Sequence, residues 1–117
     1  MLLIILLAAC GKTQKKQALS QSIDSVYLAG KITADSFKHT FYIKSTGTAD
    51  LTLDTVVSSC DCMTVDWTKK PVKPGDTAFI NVVVKPNRAS TGEARKTFMV
   101  RTNTQKKFSI FNILYTL

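Results

Sequence analysis

Acid–base chemistry has little to work with in this chain. It holds one glutamate, Glu93, and one histidine, His39. A paired-glutamate site is therefore excluded, and no nucleophile–histidine–acid motif is recognisable. No apolar run reaches the ~20 residues that a transmembrane helix needs, and no segment carries a convincing helical period. Cysteine is confined to Cys10, Cys60 and Cys62, and no charged side chain precedes Lys12. Charge is plentiful after that point but one-sided. Sixteen Lys/Arg against eight Asp/Glu leave a net charge of +8, a balance that suits nucleic acid, a membrane surface or plain solubility. No nucleic-acid recognition motif is present, so nucleic acid is not expected as a partner. Most lysines alternate along strand-like segments, the arrangement of a solvated face.

The N-terminus is the clearest signal. The run Met1 to Ala9 is apolar, closes on Ala8-Ala9-Cys10, and gives way to Gly11 and a lysine-rich polar stretch. This resembles the lipobox of bacterial lipoproteins. The resemblance implies that residues 1–9 are a signal peptide and that Cys10 becomes the lipidated N-terminus. Each buried acyl methylene contributes ~0.8 kcal/mol, so two or three chains hold a protein to a membrane. Lys12, Lys15 and Lys16 would add ~1 kcal/mol each against anionic headgroups. Gly11 stands where an Asp signals inner-membrane retention in some bacteria, which points to the outer membrane, facing the periplasm. The competing reading makes residues 1–9 a buried strand of a cytosolic protein and Cys10 a core thiol. On the lipoprotein reading, residues 10–21 are the lipidated cysteine and a polar tether, and residues 22–117 are the folded domain.

That domain reads as strands. Ser25 to Ala29 is a first candidate. Phe37 to Lys44 alternates, with Phe37, His39, Phe41 and Ile43 on one face. Ser45-Thr46-Gly47 turns the chain, with Gly47 expected at positive φ. Leu51 to Val57 follows, with Leu51, Leu53 and Val57 expected inward, then a short irregular strand from Cys60 to Trp67. Pro74-Gly75 has the signature of a type II turn. Ala78 to Lys85 carries Ile80, Val82 and Val84 inward, and Arg95 to Thr102 carries Phe98 and Val100. Phe108 to Leu117 is apolar on both faces, with Phe108, Ile110 and Leu114 expected to pack the core. About seven short strands at 8–12-residue intervals predict an all-β, immunoglobulin-like antiparallel β-sandwich.

A second resemblance covers Phe37 to Tyr115. Phe41-Tyr42-Ile43, Ser45-Thr46-Gly47, Leu51-Thr52-Leu53, Ser59-Cys60-Asp61-Cys62-Met63 and Pro71-Val72-Lys73-Pro74-Gly75 follow one another. The pattern resembles a family of unknown function among bacterial envelope proteins, common in Bacteroidetes lipoproteins. The resemblance implies an immunoglobulin-like fold akin to Hydin-type and major-sperm-protein-type domains, and it transfers no biochemical role. Ser45, Asp61 and Met63 replace the Asn, Gly and Thr usual in that pattern.

Cys60 and Cys62 are the only pair with chemistry to offer. Residues i and i+2 of an extended strand hold their Cβ atoms ~6.5–7 Å apart, whereas a disulfide wants ~3.8 Å, so a bond demands a local turn. Three readings stay open: a structural pair, a redox dithiol, or a Cu(I) site with Met63 or His39. No cofactor is expected on the first. His39 and Trp67 read as packing residues. Phe111, Ile113, Tyr115 and Leu117 form a stripe that needs a cover; exposed at a sheet edge, it would be a protein-partner surface. The expected role is a lipid-anchored, non-enzymatic binding or structural module, with thiol–disulfide or copper handling as the alternative.

Overall fold

The computed structural model describes residues 16–87 and 91–117. The expected signal peptide and Cys10 lie outside the described residues. The chain folds into eight strands: β1 (Ser20–Ser22), β2 (Val26–Lys31), β3 (Phe37–Ser45), β4 (Leu53–Ser58), β5 (Met63–Trp67), β6 (Thr77–Val84), β7 (Glu93–Thr102) and β8 (Phe108–Thr116). They form two four-stranded sheets, β1-β3-β6-β5 and β2-β8-β7-β4. Counting β1 and β2 as two halves of one strand, this is the seven-strand order of an immunoglobulin-like sandwich. That first strand begins in one sheet and ends in the other. It runs antiparallel to β3 and then parallel to β8, so one pair departs from the antiparallel pattern.

Where alternation is strict, the core follows it. Ala78, Ile80, Val82 and Val84 of β6 and Phe41 and Ile43 of β3 are buried, as are Phe98 and Val100 of β7. Phe41, Phe98 and Phe111 meet between the sheets with ring centroids 5.1 to 5.5 Å apart. Each buried ring or aliphatic side chain contributes about 1.5–3 kcal/mol. At Lys73-Pro74-Gly75-Asp76 the Asp76 amide donates to the Lys73 carbonyl at 2.9 Å, and Gly75 has φ 91°, the type II turn that Pro74-Gly75 predicts.

Two face assignments are corrected. Val57 is 55% exposed, because a register shift between Leu53 and Thr55 inserts an extra residue and turns the rest of β4 over. In β8 the stripe Phe111, Ile113 and Tyr115 is core, with relative exposures of 0%, 0% and 4%, and Leu117 is half-buried against it. The strand is not an edge but lies between β2 and β7. Its other face is interrupted by Asn112, so the uninterrupted face turns inward and Phe108 and Ile110 turn out.

The expected tether is also shorter than its last residues suggest. Gln17 accepts from the Thr48 and Ala49 amides at 2.9 and 3.2 Å, and Leu19 accepts from the Thr46 amide at 3.0 Å. Gly47 makes this docking fit. Its φ is not positive; instead, a Cβ there would run into the Gln17 carbonyl oxygen and stand 2.5 Å from the Leu19 amide nitrogen. Gly47→Ala is expected to cost about 2 kcal/mol or more, read as a lower urea midpoint, with amide exchange accelerated first at Thr46 and Thr48.

Candidate functional site

The loop after β4 brings the cysteines together. The Ser58 hydroxyl donates to the Cys60 carbonyl at 2.6 Å and accepts from the Cys60 amide at 3.3 Å. The Met63 amide donates to the same carbonyl at 3.4 Å, which closes a turn over Cys60-Asp61-Cys62-Met63. The two Cα atoms stand 5.2 Å apart and the sulfurs are bonded, so the demand for a local turn is met. Both cysteines are half-buried against the core, and Asp61 between them is exposed. The side chains that a copper site would need are committed elsewhere: Met63 is buried in the core. Among the described residues, no group of three or more His, Cys, Asp or Glu is placed to hold a metal ion.

His39 sits on the inward face of β3, half-buried. Its ring stacks on Tyr27 of the opposite sheet at 3.7 Å and 11°, and meets Phe41 edge-on at 4.5 Å. Burial holds its pKa below the usual histidine value, with Asp24 pulling weakly the other way. Trp67 closes the opposite flank. Its indole N–H donates to the Leu53 carbonyl across the sheets at 3.3 Å, and Lys69 Nζ lies 2.9 Å over its ring.

The third feature is an edge left half-covered. In the β7–β8 ladder, Gly92 and Leu117 exchange both main-chain hydrogen bonds, and the Thr102 amide donates to the Lys107 carbonyl. Odd-numbered residues of β8 therefore bond β7 and even-numbered ones point to the other side. There Asn112 donates to Ser25 and Thr116 accepts from Ile32. The β2 pairing starts only at Val26 opposite Asn112. Ile110 thus directs its N–H and C=O toward a side where, among the described residues, no backbone partner meets them. On the outer face of the β2–β8 pair, Val26, Leu28, Phe108 and Ile110 are from 42% to 73% exposed. Sequence reasoning placed Phe108 and Ile110 on a core-packing face; the signal that separates the two faces is the polar Asn112.

The comparisons agree on the fold. Residues 22–115 match the family described as "Protein of unknown function (DUF1573)". A crystal structure of a protein of unknown function from Porphyromonas gingivalis superposes with a TM-score of 0.77 at 15% identity, covering 87% of this chain and 48% of that one. The VesB protease of Vibrio cholerae gives 0.69 at 16% identity, with 86% and 32% covered. The ASH/PapD-like domain 7 of human CEP192 gives 0.62 at 8% identity, with 99% and 95% covered. This chain spans about half of the Porphyromonas protein and a third of the protease, and identities this low establish the fold alone. No curated protein sequence matches the chain.

Two outcomes follow from the site geometry. The disulfide closes a loop of only three residues, for which the chain-entropy contribution is about 1.5 kcal/mol. Replacing both Cys60 and Cys62 by Ser is expected to leave the fold intact and lower the unfolding free energy by roughly 1–2 kcal/mol in urea titrations. The unfolded chain protonates His39 near the ordinary value of about 6.5, whereas the folded chain does so only at lower pH. The His39 contribution to stability is therefore complete above ~6.5 and falls as pH drops below it. The urea midpoint should decline less between pH 7.5 and 5 in His39→Phe, which keeps the stack on Tyr27, than in the parent protein.

Proposed function

Since the chain belongs to the DUF1573 family, described only as of unknown function, we propose from its own residues that it is a lipid-anchored, non-catalytic binding module of the bacterial cell envelope. The observation that carries the binding role is the exposed apolar group Val26 and Leu28 of β2 with Phe108 and Ile110 of the adjacent β8, which the β2–β8 register sets on one outer face. Scattered surface apolar residues need no explanation, but a contiguous group marks an interaction site. The anchoring role rests on Cys10 and the apolar run before it. Among the described residues Gln17 is the first clamped by main-chain bonds, and seven residues of chain from Cys10 reach at most ~25 Å. An acylated Cys10 would hold the domain close against the bilayer, and Gly11, where an Asp would signal inner-membrane retention, supports an outer-membrane, periplasm-facing placement.

A second reading, thiol–disulfide exchange, is favoured by one observation: the Cys60–Cys62 bond lies half-exposed in a turn between strands. The two readings part on the double serine variant, which would abolish an exchange activity and leave a binding role standing.

The anchored-module reading is tested by intact mass and fractionation of the membrane-extracted protein. The expected result is a mature chain that begins at Cys10 and carries acyl groups, and that moves to the soluble fraction in Cys10→Ser. A full-length, unacylated chain would sink the anchor. For the binding role, Leu28→Asp combined with Ile110→Asp should leave thermal stability nearly unchanged while removing adducts formed by cross-linking in cells. Adducts that survive the double change place the binding surface elsewhere.

A further inference from the structure

The open stretch of β8 borders a groove. Two adjoining cavities of about 400 and 370 Å³ share Ser20 and Lys106 and lie between β1 of one sheet and the start of β8 in the other. Ser20, Ser22 and Ser25 form one wall, and Phe108 and Ile110 the other. The groove exists because the first strand joins the β8 sheet only at Val26, opposite Asn112, and so leaves the start of β8 uncovered. Phe108 to Phe111 spans about 10 Å at ~3.3 Å per residue, room for three or four residues of extended chain.

Resting on the binding-module reading, we propose that this groove binds an extended peptide segment carrying an aspartate or glutamate, added as a short strand alongside β8. The Ile110 N–H and C=O supply two main-chain hydrogen bonds, Phe108 and Ile110 give apolar contact, and Lys106 receives the carboxylate. This is the strand-addition mode of peptide recognition, in which main-chain bonds give affinity and side-chain contacts give selectivity.

Three observations select this occupant. The comparable open edge is guarded: β1 covers only Ile43 to Ser45 of β3, and the bare stretch before it carries Lys38 outward, with Lys44 further along. Charged side chains, lysine above all, are how natural edges refuse another strand, and Phe108 to Phe111 has none. Lys106 is the only charged residue among those lining the groove, and Arg101 lies opposite Phe108 across the β7–β8 ladder. The acid nearest in sequence, Asp24, is already engaged with the Val26 amide at 3.3 Å. A second copy of the chain fits poorly: self-pairing is confined to Phe108 to Phe111, because Asn112 already bonds Ser25, and this stretch of β8 has no acid to offer Lys106. A bilayer fits worse, since hydrocarbon leaves the Ile110 N–H and C=O without partners.

The test is a fluorescence-anisotropy titration of the full-length protein in detergent micelles. The probe is a capped, fluorescein-labelled hexapeptide of alternating valine and threonine with one terminal aspartate residue. Saturable binding is expected, and it should be lost when alternate peptide nitrogens are methylated. Ile110→Pro removes an N–H that meets no hydrogen-bond partner among the described residues, on the stretch of β8 that β2 leaves uncovered, where proline is tolerated. It should weaken binding about tenfold or more, with Trp67 fluorescence reporting that the fold is kept. Lys106→Glu should invert the preference, favouring the same peptide with lysine in place of aspartate. Equal binding of the methylated peptide would overturn strand addition, and an unchanged preference in Lys106→Glu would overturn the carboxylate. If Ile110→Pro does not fold, the methylated probe carries the same decision. No binding at millimolar peptide, or concentration-dependent dimerisation through this edge instead, would refute the groove. Either result would leave acylation and fractionation at Cys10 unaffected, so the anchor stands or falls separately.

Discussion

The constraint on which the rest depends is the passage of the first strand from one sheet to the other. The Ile23 amide still donates to Tyr42 in one sheet, and two residues later the Ser25 carbonyl accepts from Asn112 in the other. A strand that divides itself this way cannot cover either edge along its length. It guards the Ser45 half of β3 and the Thr116 half of β8, leaving the complementary halves bare. The parallel pair, the groove beside Lys106 and the His39–Tyr27 stack all descend from this division. The stack in particular bridges the two sheets where β3 has lost its neighbour and β2 has become available.

The fold was legible in the sequence wherever apolar and polar residues alternate without interruption. β3, β6 and the centre of β7 show the faces that alternation assigns them, because a one-residue slip would carry a whole hydrophobic set into water. It failed where alternation is not decisive. In β4 the extra residue near Asp54 turns Val57 outward, and nothing in Leu51 to Val57 announces a bulge. In β8 both faces are apolar, so period alone cannot choose between them. Asn112 is the tie-breaker, and its weight is visible only once β8 is known to lie inside its sheet. The splitting of the first strand was illegible for another reason. Ser20 to Ser22 pairs through backbone groups that no side-chain pattern reports, and the polar run ahead of it reads as tether.

The cysteine pair shows what spacing can and cannot decide. That two cysteines one residue apart need a turn before they can bond follows from strand geometry alone, and the Ser58 hydroxyl and Met63 amide supply that turn. What the bond is for does not follow. A three-residue loop removes little entropy from the unfolded chain, far less than the Phe41–Phe98–Phe111 cluster contributes through burial. The scaffold therefore stands on its core, and the pair is a local feature of one loop.

With the proposed anchor at Cys10, the two ends of the sandwich have unequal access. Gln17, where the tether meets the domain, bonds Thr48 and reaches Gln105 at 3.0 Å, the neighbour of Lys106 in the groove. The disulfide turn lies at the other end of the sheet: Cys62 accepts from Lys85 just beyond the Val84–Phe37 pair, and Phe37 to Ser45 spans about 26 Å. A tether of at most ~25 Å then keeps the groove in the half of the domain nearest the lipid. A folded partner docking there would share that space with the bilayer, whereas an extended segment would need little of it, because a strand occupies only about 5 Å across the sheet. A tether that held the domain to the membrane would thus favour a partner that arrives as a strand.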